Sequence, residues 1–98
     1  MIQLFQRYDE DDNVYYEFFI PSYDLAKEDY AGYIKYTVPE LADRLSESSV
    51  FECVGYESVG AAHSCLNSYN GVIFRLEPRD GQEVDVRKVW NECMRSIR

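Results

Sequence analysis

The chain has 98 residues, which is the length of one domain, and we expect residues 1–98 to fold as a single domain. It carries 18 Asp and Glu residues against 10 Lys and Arg residues, a net charge of −8, and 46% of the residues are hydrophobic. The hydrophobic content excludes wholesale disorder, and the acid excess argues against direct nucleic-acid binding, which relies on Lys and Arg to neutralise phosphates.

Hydrophobic patterning and turn residues predict a succession of short strands and helices. The first part of the chain is predicted to form a strand over 2–8, a turn over 9–13, a strand over 14–20, a short helical or irregular stretch over 22–30 and a strand over 33–38. A helix from Pro39 to the 46–49 region, a strand over 50–54 and a helix over 58–69 with Ser58 as its N-cap follow. The last part is predicted to form a strand over 72–76, a turn over 78–81, a returning strand over 82–85 and a C-terminal helix over 86–97. Strands and helices are mixed without a strict βαβ alternation. The sequence therefore predicts the α+β class, with a mostly antiparallel sheet that includes an N-terminal hairpin and is packed by two or three helices.

The C-terminal helix has the clearest pattern of the predicted elements. Its apolar residues recur at the i, i+3, i+4, i+7, i+8 and i+11 positions of one helical face; they are Val86, Val89, Trp90, Cys93, Met94 and Ile97. Asp85 precedes them at the position of an N-cap. We expect Trp90 to anchor this amphipathic helix on the sheet as a core residue rather than to bind a partner.

The negative charge is concentrated in the first part of the chain. Residues 1–57 hold thirteen acids and four bases, whereas residues 58–98 hold five acids and six bases, and eight of the nine tyrosines lie in the acidic part. Tyrosine buries a large area with few torsions to order, and carboxylates around it attract a basic partner. The coincidence indicates a protein-docking surface. The alternative is that the tyrosines are ordinary strand residues and that the acids provide solubility.

The predicted partner-binding residues lie in the hairpin and in the stretch that follows it. They are Asp9, Glu10, Asp11, Asp12, Tyr15, Glu17, Tyr23, Asp24, Glu28, Asp29 and Tyr30. We expect them to dock onto the basic, nucleic-acid-binding site of another protein and to compete there with phosphates. Small acidic chains without catalytic motifs are typical of inhibitors that phages and mobile elements direct against host nucleases, anti-CRISPR proteins among them. This analogy in size and charge implies no catalytic residue and no cofactor.

Two metal-binding patterns need to be weighed, and neither is complete. Cys53, His63, Cys65 and Cys93 have the chemistry of a zinc site, but only His63 and Cys65 are close in sequence, and a two-residue spacing puts them on opposite faces of a helix. Residues 9–13 resemble the start of a calcium-binding loop. Val14 and Ile20 then stand where that loop needs a glycine and a bidentate glutamate. The sequence therefore predicts no metal site and a solvated turn at residues 9–13.

Two further functional hypotheses come from other features. An exposed strand over 14–20 would pair edge to edge with a second copy, which makes the chain a homodimer or the adaptor subunit of an assembly. A small enzyme that uses Cys53 or Cys93 with His63 is the other hypothesis. Against it, Cys93 lies on the apolar face of the last helix, where a cysteine acts as a small hydrophobe.

The terminal and cysteine patterns predict where the protein resides. No apolar run approaches the ~18 residues of a membrane span. Residues 1–12 lack the basic start and apolar core of a signal peptide, and three cysteines fit reduced thiols. We expect a cytoplasmic protein that does not bind membranes, located in the host cytoplasm if a phage encodes it.

Overall fold

The structure of the chain is a computed structural model that describes residues 2–21, 38–59 and 71–97. Its elements are the strands β1 (Gln3–Tyr8), β2 (Val14–Pro21), β3 (Phe51–Val59) and β4 (Gly71–Pro78) and the helices α1 (Val38–Leu45) and α2 (Val86–Ser96). The four strands form an antiparallel sheet in the order β1-β2-β4-β3. The predicted α+β class, with an N-terminal hairpin and a C-terminal helix, is confirmed.

The helices α1 and α2 cover one face of this sheet. Side chains of β2 alternate between the two faces, and Tyr16, Phe18 and Ile20 are fully buried on the helix side. Leu45 of α1 and Val89 of α2 pack into the same core. Because burial of each large apolar side chain contributes about 1.5–3 kcal/mol, this layer supplies most of the hydrophobic stabilisation.

The second face of the sheet, opposite the helices, carries a smaller hydrophobic cluster. Phe19 and Ile73 are buried there, and Phe5 packs beside them. Gly71 is required next to this cluster, since a Cβ at this position would lie 2.5 Å from both the Ile20 carbonyl oxygen and the Phe19 ring. β2 and β4 therefore contribute buried apolar residues to both faces.

The buried hydroxyl of Tyr16 holds the segment that precedes α2 against the sheet. It donates a hydrogen bond to the Val84 carbonyl oxygen at 2.9 Å and accepts one from the Val84 N–H at 3.1 Å. A residue whose two backbone groups are satisfied by a side chain needs no strand partner. Residues 82–85 accordingly run as an irregular segment, and the predicted returning strand over 82–85 is wrong.

The helix α2 begins at the predicted residue and buries the central part of its predicted apolar face. Asp85 is its N-cap, and the Asp85 carboxylate accepts a hydrogen bond from the Arg87 N–H at 2.8 Å. Val89 and Cys93 are fully buried. The capping carboxylate thus fixes the start of the helix, and these two side chains fix which face meets the sheet.

The outer residues of the predicted apolar face behave differently from one another. Trp90 is half-buried and meets Phe18 edge to face, with ring centroids 6.3 Å apart, so its predicted contact with the sheet is confirmed, but it lies at the margin of the core and not inside it. Val86 is 42% exposed and does not join the core. The apolar face of α2 therefore continues past the core at its first turn.

β3 lies at one edge of the described sheet, and the end of α1 meets the start of that edge. The Ser46 hydroxyl, directly after α1, accepts a hydrogen bond from the Cys53 N–H at 3.1 Å and donates one to the Cys53 carbonyl oxygen at 3.4 Å. Both backbone groups of Cys53 thus point away from β4, as alternate residues of an edge strand do. The pairing then shifts register between Cys53 and Gly55, which marks a bulge.

Two predicted boundaries are wrong. β3 extends to Val59 and pairs Ser58 with Val72, so Ser58 is a strand residue and not the N-cap of a helix over 58–69. Val38 begins α1 and does not end a strand over 33–38. Residues 33–37 and 60–69 of those two predicted elements, and the stretch over 22–30, lie outside the described residues. The predicted turn over 78–81 is confirmed by a hydrogen bond from the Gly81 N–H to the Pro78 carbonyl oxygen at 3.2 Å.

The helices of the described ranges are short. α1 has 8 residues and α2 has 11 residues. A helix that crosses a bilayer needs about 20 apolar residues. Within residues 2–21, 38–59 and 71–97, no helix meets the length and hydropathy of a membrane span.

Replacement of Tyr16 by Phe is expected to lower the free energy of unfolding by about 1–3 kcal/mol, because both backbone groups of Val84 lose their partner. Urea denaturation followed by circular dichroism measures the change. Tyr15→Phe is the matched control, since it removes the hydroxyl of the adjacent tyrosine on the second face and should change stability by less than about 0.5 kcal/mol. Equal losses in the two variants would contradict the role assigned to the Tyr16 hydroxyl.

Candidate protein-docking surface

Six of the predicted partner-binding residues are described, and they lie at and next to the β1–β2 turn. They are Asp9, Glu10, Asp11, Asp12, Tyr15 and Glu17. The remaining predicted residues lie outside the described ranges; they are Tyr23, Asp24, Glu28, Asp29 and Tyr30. We call residues 9–12 the acidic tip.

Hydrogen bonds to one residue give the acidic tip a defined conformation. The Asp9 carboxylate accepts from the N–H of Asp11 at 2.8 Å and from the N–H of Asn13 at 2.9 Å. The Asp12 N–H donates to the Asp9 carbonyl oxygen at 3.1 Å, and Asp12 adopts the left-handed conformation with φ 62°. Asp9 therefore shapes the turn, whereas the side chains of Glu10, Asp11 and Asp12 are exposed.

Tyr15 and Glu17 lie beside the acidic tip on the second face of the sheet, and two arginines interleave with them. Arg7 Nε is 2.9 Å from Glu17 Oε1, and the Arg75 guanidinium lies 3.8 Å from the centroid of the Tyr15 ring. Arg75 Nε is also 3.4 Å from Glu77 Oε2. The expected acid-and-tyrosine surface is thus a mixed surface, in which each arginine has an acidic or aromatic neighbour.

Two shallow cavities connect these groups across the second face. A cavity of about 190 Å³ joins the acidic tip to the sheet, and its walls include Asp9, Tyr15 and Arg75. A cavity of about 250 Å³ lies on the other side of Arg75, where Gly55 has no side chain to fill it and Glu17 forms part of the wall. The acidic tip, the Tyr15 ring and the interleaved charges therefore form one continuous surface, which we call the docking surface.

Further glutamates reach the docking surface from strands that the sequence did not assign to it. They are Glu52 and Glu57 of β3 and Glu77 of β4. Glu52 and Glu77 stand directly opposite each other in the β3–β4 ladder, where like charges repel. The register of β3 against β4 brings Glu52 and Glu77 together, and the bulge before Gly55 places Glu57 on the same face as Glu52 although their odd spacing in sequence predicts opposite faces.

The described cysteines have environments that raise the pKa of their thiols. Cys93 is buried in the core, and this burial raises its pKa well above that of an exposed thiol. Cys53 is half-buried, and burial raises its pKa as well. A nucleophilic cysteine needs a lowered pKa, which neither residue has. His63 and Cys65, the other members of the Cys/His hypotheses, lie outside the described residues.

Metal-ligating side chains are not clustered in the described part of the chain. Within residues 2–21, 38–59 and 71–97, no three His, Cys, Asp or Glu side chains are grouped to hold a metal ion. Of the four zinc candidates, only Cys53 and Cys93 are described. In the acidic tip, the Asp9 carboxylate is already engaged by two backbone N–H donors.

The predicted self-association through residues 14–20 is wrong. β2 is an inner strand, with β1 on one side and β4 on the other. Its backbone groups are therefore used in the sheet and cannot pair with a second copy. Self-association through another element stays a prediction.

Protonation of Asp9 is expected to loosen the acidic tip at low pH. The Asn13 N–H, and to a smaller degree the Asp11 N–H, stabilise the carboxylate and hold the pKa of Asp9 below its ordinary value of 3.8. The contribution of Asp9 to stability is thus present above pH 3.8 and is lost as the pH falls through the lowered pKa. NMR titration of the Asp11 and Asn13 amide resonances should give a common midpoint below 3.8.

The Asp9→Asn variant is the control for this titration, since it keeps a side-chain oxygen but has no charge to lose. Its Asp11 and Asn13 amides should lack the common midpoint. A midpoint at or above 3.8 in the parent chain would contradict the assignment.

Cys93 is expected to resist alkylation in the folded chain, because it is buried and its thiolate is disfavoured. Iodoacetamide labelling at mildly alkaline pH, with mass spectrometry at each site, measures this. Cys93 should label only in denaturant, and Cys53 more slowly than the thiol of a short unstructured peptide. Fast labelling of either residue at neutral pH would contradict these environments and favour the Cys/His enzyme.

We compared the chain with known protein families, curated proteins and solved structures. No protein-family model, curated protein or solved structure matches the chain. The charges, aromatic residues and hydrogen bonds of the chain itself are therefore what a functional proposal has to rest on.

Proposed function

We propose that the chain is a non-enzymatic binding protein whose docking surface binds a basic surface of another protein. The observation that carries this proposal is the acidic tip, which presents the exposed carboxylates of Glu10, Asp11 and Asp12 on a turn that Asp9 holds in shape. None of the ion pairs among the described residues includes these carboxylates. No cation of the described residues neutralises them, which supports a role in attracting a basic partner.

The fixed conformation of the acidic tip favours binding. A turn fixed by hydrogen bonds has less conformational entropy to lose than a mobile loop. The Asp9 carboxylate supplies two of these bonds, and the Asp12 N–H supplies a third. Three carboxylates on one short turn also raise the rate at which a basic surface is met.

The neighbouring strands add contact area and further charge. The Tyr15 ring is held under the Arg75 guanidinium, and aromatic residues of this kind are enriched in protein interfaces. Glu52 and Glu77 stand opposite each other and repel, and among the described residues only the ion pair of Glu77 with Arg75 offsets this repulsion. Lys or Arg residues of a partner would offset this repulsion.

The partner that this surface suits best is a nucleic-acid-binding protein. Carboxylates on the tip and along β3 and β4 can occupy Lys and Arg sites that otherwise hold phosphates, so binding would inhibit the partner competitively. Inhibitors of host nucleases carried by phages and mobile elements, including anti-CRISPR proteins, are the class that we propose. Support for this finer assignment comes from the size of the chain, its net charge of −8 and the acidic tip.

Neutralisation of the acidic tip is expected to weaken binding about tenfold at low salt, since each exposed charge pair contributes roughly 0.5 kcal/mol. The test variant combines Glu10→Gln, Asp11→Asn and Asp12→Asn and leaves Asp9 in place to hold the turn. Immobilised parent and variant chains are exposed to cell lysate at low and high salt, and the captured protein is then titrated with each chain. Binding of the parent should weaken steeply with salt.

A second triple variant is the matched control. Glu40→Gln, Asp43→Asn and Glu47→Gln remove the same number of exposed carboxylates from α1 and the turn after it, and should leave capture unchanged. Equal capture by the tip variant and the parent would overturn the docking surface. Added DNA or RNA should displace the captured protein; if it does not, the docking surface stands and the nucleic-acid-site assignment fails.

A further inference from the structure

A groove runs between the outer edge of β1 and the first turn of α2. It has a volume of about 410 Å³, larger than either cavity of the docking surface. Its walls include Ile2, Leu4, Val86 and Trp90, so it is predominantly apolar. We call it the β1–α2 groove, and neither the acidic tip nor the Tyr15 surface forms part of it.

The edge of β1 offers backbone groups to this groove. The Asp9 N–H donates to the Asn13 carbonyl oxygen at 2.9 Å, so the backbone of Asp9 points toward the β2 side of the hairpin. Successive residues of an antiparallel strand point alternately toward and away from the partner strand, which turns the N–H and C=O of Leu4 and Gln6 outward. Among the described strands β1 pairs only with β2. The outward groups of Leu4 are therefore placed to pair with an added strand.

The described residues cover the apolar side chains of the groove only in part. Val86 is 42% exposed although it lies on the apolar side of α2. Trp90 is half-buried; its ring is nearly perpendicular to that of Phe18, and it also lines the groove. An apolar groove bounded by an exposed valine and a tryptophan suits the side chains of a partner.

The charge at the rim of the groove indicates the chemistry of that partner. Arg87 lines the groove and Lys88 follows it, both exposed in the first turn of α2, where the helix dipole disfavours cations. None of the ion pairs among the described residues includes either side chain. The nearby acids are engaged, since Glu83 accepts hydrogen bonds from side chains of β1 and Asp85 caps α2. Cations at a helix N-terminus that no ion pair of the described residues includes suit a carboxylate ligand.

We propose that the β1–α2 groove binds an extended segment of a partner protein in which apolar residues alternate with at least one Asp or Glu. The segment pairs with the outward backbone of β1 as an added strand, and its apolar side chains lie between Leu4, Val86 and Trp90. Its carboxylate pairs with Arg87. Strand addition supplies main-chain hydrogen bonds for affinity, and the side-chain contacts supply specificity. This surface prefers acidic ligands, in contrast to the docking surface, and stands independently of the proposed function.

The test selects ligands from a display library of short random linear peptides, with the full chain as target. Trp90 is the only tryptophan of the chain, so its fluorescence reports occupancy of the groove by any peptide that lacks Trp. The enriched peptides should alternate apolar residues, contain Asp or Glu and change the Trp90 emission. Replacement of that Asp or Glu by its amide should weaken binding about tenfold, and N-methylation of alternate peptide amides should abolish it.

Two single variants of neighbouring residues separate the groove from general electrostatics. Arg87→Glu should weaken the selected peptides at least about tenfold, whereas Lys88→Glu, with the same change in charge but about 100° further around the helix, should leave affinity within about twofold. Both residues are exposed, and circular dichroism checks that both variants fold.

Several outcomes would overturn the proposal. Enrichment of basic or charge-indifferent peptides, binding without a change in Trp90 emission, or equal effects of Arg87→Glu and Lys88→Glu would each do so. Dimerisation of the chain alone, detected by analytical ultracentrifugation and abolished by Val86→Glu, would identify a second copy as the occupant instead. The triple variant of the acidic tip should bind the selected peptides like the parent chain, which keeps this test separate from that of the docking surface.

Discussion

The Tyr16 hydroxyl donates to one backbone group of Val84 and accepts from the other, and this exchange ties an inner strand to the segment that leads into α2. The constraint acts one residue before the N-cap Asp85, so it holds the start of α2 against the sheet. With the start of the helix fixed, Val89 and Cys93 enter the core and Trp90 reaches Phe18. The groove beside β1 depends on the same constraint, because its helical wall is the first turn of α2.

Adjacent residues of β2 serve opposite purposes because a strand alternates between two faces. Tyr16 is buried among the helices and holds structure, whereas Tyr15 lies on the second face under Arg75 and belongs to the docking surface. Glu17, one residue further on, returns to the second face and meets Arg7. The high tyrosine content of the acidic part of the chain therefore has no single explanation. Each of the two tyrosines of β2 takes its role from the face on which the register places it.

Local patterns predicted those parts of the fold that local forces determine. The turn at residues 9–13, the cap at Asp85 and the burial of Val89 and Cys93 on α2 depend on neighbours within a few residues, and all three are confirmed. The segment over 82–85 was predicted as a strand because nothing local shows that Tyr16, far away in sequence, satisfies the backbone of Val84.

For the docking surface, too, local patterns in the sequence identified only residues that are close together along the chain. Its acidic tip is contiguous in sequence and was predicted, and so were Tyr15 and Glu17 on the adjoining strand. Arg75, Glu52 and Glu77 join it only through the pairing of β4 with its two neighbours. Register of this kind depends on the whole sheet, so a single sequence does not reveal which distant charges become neighbours.

The contact of Ser46 with Cys53 also bears on the solubility of the chain. An uncovered strand edge is a template on which other chains can add and begin to aggregate. One hydroxyl occupies both outward backbone groups of Cys53, and the bulge that follows distorts the next stretch of the same edge. α1 contributes Leu41 and Leu45 to the core, and it also has a second role at the edge of the sheet. By placing Ser46 against β3, it gives this edge of the sheet a protection that none of the described elements gives to the outer edge of β1.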